Sequence, residues 1–97
     1  MENEEVGHRQ SDDNYERVVA MLNSRWRVIL CKDGLQWVLQ RKQKTRDGWH
    51  GKSWCVTREA LVRCIGEKVE EVDAEGLALV MRLPALASLV TMGPSVA

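Results

Sequence analysis

The 97-residue sequence has no phenylalanine, two prolines and one tyrosine. Its other aromatic side chains are Trp26, Trp37, Trp49 and Trp54, so the large apolar groups crowd into one stretch, where the folding centre is expected. Cys31, Cys55 and Cys64 are an odd set without CxxC spacing. That excludes the dense, even cysteine framework of a small secreted scaffold and leads to the expectation of free thiols in a reducing compartment. No basic, apolar leader opens the chain, since Met1-Glu2-Asn3-Glu4-Glu5 is acidic, and the expected location is cytoplasmic. The longest nearly uncharged stretch, 83–97, contains Pro84, Gly93 and Pro94 and is too short and broken to cross a bilayer. A glycine-rich phosphate loop, a nucleophile with its base and paired carboxylates in an evident pocket are all missing. The Cys and His residues, with His8 and His50 completing the set, lack zinc-ligand spacing. The expectation is a protein that is not an enzyme and has no cofactor, metal site or catalytic residue.

What is present is a strong internal charge pattern beneath a net charge of zero. Residues 1–24 carry two bases against six acids, residues 25–68 eleven against four, and residues 69–97 one against four. A centre of +7 between ends of −4 and −3 is the main electrostatic fact in the chain.

The length allows one domain. Residues 1–13 are polar, acidic and aperiodic, which predicts a disordered arm. Tyr15, Val18, Val19 and Leu22 recur at three- and four-residue spacing, which predicts a helix of about two turns over 14–22. Arg25–Cys31 and Leu35–Lys42 read as strands around Asp33-Gly34, a strong hairpin signal when both central residues take positive φ in a type I′ turn. That turn sets Leu30 opposite Trp37, Val28 opposite Leu39 and Trp26 opposite Arg41. One face then gathers Trp26, Val28, Leu30, Leu35, Trp37 and Leu39 as core. The other gathers Arg25, Arg27, Ile29, Cys31, Gln36, Val38, Gln40 and Lys42.

Residues 43–52 form a loop, and 53–56 a third strand with Trp54 and Val56 pointing inward. Thr57 caps a helix whose stripe is Ala60, Leu61, Cys64 and Ile65, with Gly66 either ending it or tolerated inside. Asp73 caps another that runs through Leu77, Val80, Met81 and Leu83, with Leu77 and Val80 packing on the core and Pro84 stopping it. The predicted fold class is α+β, in the order α-β-β-β-α-α, with a three-stranded antiparallel sheet covered on one face by C-terminal helices. The predicted domain runs over 14–90, with a flexible tail at 91–97.

Two surfaces are candidates for function. Arg25, Arg27, Gln36, Gln40 and Lys42 on the outer sheet face, with Lys44, Arg46 and Lys52 on the neighbouring loop, form a nucleic-acid-binding candidate: cations neutralise phosphates, and Gln or Arg reaches base edges. The same residue types also suit the solvated face of a one-sided sheet. Ile29 and Val38 at the middle of that face, with Trp49 and His50 between Gly48 and Gly51, form a partner-binding candidate of apolar centre and polar rim. Cover of that centre by the chain's own ends, and a Trp49 folded back onto the core, are the alternatives.

The run Trp26-Arg27-Val28-Ile29, Cys31, Asp33-Gly34, Gln36-Trp37 and Leu39-Gln40-Arg41, followed by Gly51-Lys52-Ser53, Cys55, Thr57-Arg58-Glu59-Ala60-Leu61 and Cys64-Ile65, resembles small uncharacterised proteins of alphaproteobacteria and their mobile elements. The resemblance covers about 40 of the 97 residues and implies a bacterial cytoplasmic setting but no catalytic residues. Three strands followed by Thr57-Arg58-Glu59-Ala60 are similar in architecture to AP2-like DNA-binding domains, which lay their sheet across the major groove. That likeness implies a role for Arg25, Arg27, Gln40 and Lys42; the second C-terminal helix and the acidic ends depart from it. The α-β-β-β-α order also resembles double-stranded RNA-binding domains, but their lysine-rich start to the last helix is missing.

The sequence therefore leads to a small non-enzymatic binding protein that contacts nucleic acid through the outer sheet face and the 43–52 loop, as an accessory or regulatory factor of a mobile element. The alternative is a protein-binding module or inhibitor, for example of a bacterial defence complex.

Overall fold

Where the spacing of Tyr15, Val18, Val19 and Leu22 predicts a helix, the computed structural model has a strand, β1 (Val18–Met21). The structure describes residues 9–45 and 48–92. β1 pairs antiparallel with β2 (Trp26–Leu30), β2 with β3 (Trp37–Lys42) and β3 with β4 (Trp49–Cys55), giving a four-stranded sheet in sequence order. The helices follow: α1 (Arg58–Lys68), α2 (Ala74–Met81) and α3 (Ser88–Met92). The fold is α+β with an antiparallel sheet of four strands rather than three.

β1 forms because adjacent valines suit an extended backbone and because β2 would otherwise keep a bare edge. Asn23, just past the predicted helix, turns a hairpin: its Oδ1 accepts from the backbone N–H groups of Arg25 (2.7 Å) and Trp26 (2.9 Å). Val18 pairs with Ile29 and Ala20 with Val28, so Val19 is an extra residue. This bulge lets Val18 face one side of the sheet while Ala20 still reaches the core.

The β2–β3 register is the expected one, with Trp26 opposite Arg41, Val28 opposite Leu39 and Leu30 opposite Trp37. The turn type differs. Among the described residues only glycines have positive φ, and in this turn that is Gly34 alone, at 76°. Gly34 N–H donates to Cys31 O and Cys31 N–H to Gln36 O, so the loop takes four residues, 32–35, instead of two. Leu35 consequently sits on the turn, 54% exposed, and not in the core.

The helical layer covers one face. Val28, Leu30, Trp37 and Leu39 pack with Ala20, Leu22, Cys55, Leu61, Ile65, Val69, Val80 and Ala87. Cys55 pairs with Trp37 and Trp54 with Val38, so it is Cys55 that points to the core and Trp54 that points outward. This reverses the expected phase of the strand.

Thr57 caps α1 as expected, its Oγ1 accepting from Ala60 N–H at 3.1 Å. The helix continues through Gly66, where an added Cβ meets nothing within 4 Å. Gly66→Ala is therefore expected to stabilise the chain by about 0.5–1 kcal/mol, read as a higher denaturation midpoint.

α2 lies against β1 through Gly76, Val80 and the following Leu83, while Leu77, expected inside, is exposed, as is Met81. Arg58 closes the far end of α2, donating to Met81 O (3.3 Å) and Leu83 O (2.8 Å). The segment beyond α2 then returns alongside the end of β4, with Ala87 N–H donating to Val56 O and Arg58 N–H to Ala85 O.

Of the expected disordered arm, residues 1–8 lie outside the described residues. Residues 9–13 form hydrogen-bonded turns on the sheet. Of the expected tail, α3 runs to Met92, and 93–97 lie outside the described residues.

Candidate functional site

The outer sheet face is closed by residues 10–15, and this changes the standing of both candidate surfaces. Tyr15 is buried beside Ile29, Cys31 and Val38 in a second apolar cluster, with Val18 against it. Its hydroxyl donates to Leu30 O at 2.8 Å, and burial pushes that hydroxyl above its ordinary pKa.

Arg27 holds the covering segment down. Its Nε donates to Gln40 Oε1 (2.7 Å), Nη1 to Asp13 O (3.1 Å), and Nη2 to Gln10 O (3.0 Å) and Asp12 O (2.7 Å). Gln40 Nε2 donates to Gln10 O at 2.8 Å. The guanidinium also stacks over Trp49, 4.4 Å from the ring centroid, while Trp49 Nε1 donates to Asp13 Oδ1 at 2.6 Å. Burial pulls the Arg27 pKa below its ordinary value, and the Asp13 and Asp12 carboxylates oppose that shift. The planar fork of arginine satisfies three backbone carbonyls and one amide at once, which no other side chain does.

Arg27, Gln40, Ile29, Val38 and Trp49 are thus corrected from surface residues to buried ones, each at most 5% exposed. The apolar patch expected at Ile29, Val38 and Trp49 is not available to a partner. Gln36 is half-buried, and Arg46 lies outside the described residues.

The remaining candidates, Arg25, Lys42, Lys44, Lys52 and His50, are exposed, and the fold brings them together at one end of the sheet. The β1–β2 turn supplies Ser24 and Arg25, the end of β3 supplies Arg41 and Lys42, the following loop Lys44, and the start of β4 His50 and Lys52. Three depressions meet there. One of about 280 Å³ is lined by Arg41, Lys42, Gln43, Lys44, Thr45, His50 and Lys52. A second, of about 460 Å³, takes in Ser24, Arg25, Lys42, Gln43 and Lys44. The third, of about 410 Å³, continues past Arg25, Trp26 and Arg41 to Lys68, where Glu70 and Glu71 bound it.

Among the described residues these cations are little neutralised. Among the described residues the sole ion pair is Lys42 with Asp13 at 3.7 Å, solvent-exposed and therefore weak. Arg41 rests its guanidinium over Trp26 at 5.7 Å, with its buried Nε lacking a hydrogen-bond partner among the described residues. Arg41 is not among the candidates read from the sequence; it pairs with Trp26 at a strand end, from where its long side chain reaches the surface and lines two of these depressions.

Trp54 is the other residue missed. It stands 56% exposed on the outer side of edge strand β4, two residues beyond Lys52. Its six-membered ring lies along Gly51, where an added Cβ would meet Trp54 Cζ2 at 2.7 Å and Val38 Cγ1 at 3.3 Å. Glycine at 51 therefore leaves the indole room to approach the strand. In β4 the partners Gly51 and Ser53 face Gln40 and Leu39, leaving Lys52 as a bulge residue at the strand edge.

The thiols do not join this site. Cys55 and Cys64 face each other with Sγ atoms 3.8 Å apart, and burial, aided by Cys64, pushes the Cys55 thiol up to about 11. Cys31 Sγ donates to Asp33 Oδ1 within the turn. Among the described residues no three His, Cys, Asp or Glu side chains gather as a metal site, and no helix is long and apolar enough to cross a membrane.

No family model, no curated protein and no solved structure matches this chain.

Proposed function

We propose that this chain is a non-enzymatic nucleic-acid-binding protein that grips an extended single strand with the basic end of its sheet. The observation that carries it is the convergence of Arg25, Lys42, Lys44 and Lys52, all exposed, on adjoining depressions where the one ion pair among the described residues is the weak contact of Lys42 with Asp13. Phosphates supply the charge that the fold itself does not. Trp54, 56% exposed against Gly51 and beside Lys52, offers an aromatic group on which a base stacks without regard to sequence.

A duplex laid across the sheet, as the AP2-like resemblance implies, is disfavoured because residues 10–15 occupy that face. The resemblance of residues 26–65 to proteins of bacterial mobile elements fits an accessory or regulatory role on such an element.

Fluorescence anisotropy with labelled single-stranded DNA, RNA and duplex DNA, each over a salt series, tests the proposal. Single strands are expected to bind with a log–log salt slope near −0.7 per phosphate neutralised, and each of Lys42→Ala, Lys44→Ala and Lys52→Ala to flatten that slope by about 0.7. Trp54→Ala is expected to cost about 1–3 kcal/mol with the slope unchanged, since stacking carries no counterion. Absence of binding to all three nucleic acids at low salt would reject the proposal, and preference for duplex would reject the single-strand mode.

A further inference from the structure

We infer that α2 is a self-complementary docking face and that two copies of this chain pair through it, antiparallel, about a twofold axis passing near Ala78. α1 and α2 each have a core side and an outer side, but the outer sides differ in kind. That of α1 carries Glu59, Arg63 and Glu67, as suits a helix in water. That of α2 is apolar: Leu77 is 42% and Met81 52% exposed, and Ala74 and Ala78 are exposed beside them.

The orientation of α2 is fixed by Gly76 and Val80, both buried toward β1. At 3.6 residues per turn, the opposite side then centres on Ala78, with Ala74 and Met81 along it. Leu77 lies on one flank, and Glu75 and Arg82 on the other. Neither Glu75 nor Arg82 has an ion-pair partner in its own chain among the described residues.

Charge selects the occupant. A second α2 running antiparallel brings Glu75 of each copy to Arg82 of the other, on the same flank, so the two pairs form together. On the opposite flank Leu77 and Met81 of one copy meet Met81 and Leu77 of the other, and alanines at the crossing allow close axial approach. A parallel pair would instead set the Glu75 and Arg82 flank of each copy against the Leu77 and Met81 flank of the other, leaving those charges without partners. A face built on one helix of eight residues falls well short of the roughly 20–30 residues a side of a stable interface, so the dimer is weak and concentration-dependent. This inference does not depend on nucleic-acid binding.

Sedimentation equilibrium of the full chain, from about 1 μM to about 1 mM, reads it directly. The wild type is expected to show a monomer–dimer equilibrium. Glu75→Arg or Arg82→Glu alone is expected to weaken dimerisation about tenfold, since either change turns two attractions into two repulsions. The double variant Glu75→Arg/Arg82→Glu is expected to restore it. These exposed positions leave the fold intact, checked by circular dichroism and an unchanged denaturation midpoint. A wild type monomeric throughout overturns the inference and leaves this face to a different protein. A dimer indifferent to the single reversals, or not rescued by the double one, overturns it too, and an open-ended series of oligomers excludes the twofold pairing.

Discussion

Gly76→Ala is expected to unfold the chain or bring it close to unfolding, although alanine is the better helix former. At this position α2 touches β1 backbone to backbone: an added Cβ would sit 2.2 Å from Met21 O, 3.0 Å from Met21 C and 3.1 Å from Leu22 Cα. No flexible side chain is available to move aside. The helix must lift, which strains the Asp73 N–H to Leu22 O bond at its start and loosens Val80 from the core. Overpacking of this kind costs about 3 kcal/mol or more, a large share of the roughly 5–15 kcal/mol that stabilises a domain. Urea denaturation of Gly76→Ala beside Gly66→Ala makes the contrast sharp, because helix propensity favours both substitutions and only the packing differs. A Gly76→Ala midpoint equal to or above the wild type would mean that α2 does not approach β1 this closely.

Arg27→Ala is expected to cost about 3 kcal/mol or more and to free residues 10–15 from the sheet. The substitution leaves the carbonyls of Gln10, Asp12 and Asp13 and the Gln40 side chain without their donors in a buried place. It also removes the cation stacked on Trp49. Arg27→Lys is not expected to rescue, since one ammonium cannot address four acceptors in the plane of a guanidinium. Amide hydrogen exchange provides the specific readout. Protection is expected to fall at Asp12, Tyr15 and Trp49, whose N–H groups bond within or to the covering segment, well before it falls at Leu39 or Leu61. Uniform loss across the chain would show instead that Arg27 supports the whole fold and not this cover.

The pairing of β2 with β3 is legible in the residues themselves, because alternation of Trp26, Val28 and Leu30 against Trp37 and Leu39 around a glycine turn admits one register. The mistaken elements share a cause. Val19 and Lys52 are bulge residues, and each breaks a two-residue period where it matters. At β1 this made two turns of helix the better match to the apolar spacing. At β4 it concealed that Cys55, not Trp54, faces Trp37. In α2 the apolar stripe was aligned on large side chains, whereas the contact is made by a glycine that allows backbone approach.

The candidate residues divide along a similar line. Arg25, Lys42, Lys44 and Lys52 are exposed, as polar residues at strand ends and loops tend to be. Arg27 and Gln40 have the same polarity and register but are buried, since their partners are mainly backbone carbonyls of residues 10–13. Carbonyls are common to every residue, so hydropathy patterning carries no trace of them. The acidic segment thus covers the sheet chiefly through its backbone, with Asp13 adding its carboxylate to Trp49 and Lys42.

The central claim is that the face of the sheet is closed and its end is open. Amide chemical-shift mapping during titration with a single-stranded oligonucleotide tests this most directly. Shifts are expected at Arg25, Lys42, Lys44, Lys52 and Trp54, with Tyr15, Arg27, Ile29 and Gln40 unmoved. Shifts centred on Arg27, Ile29 and Gln40, with residues 10–15 released, would contradict the account and return the binding surface to the sheet face.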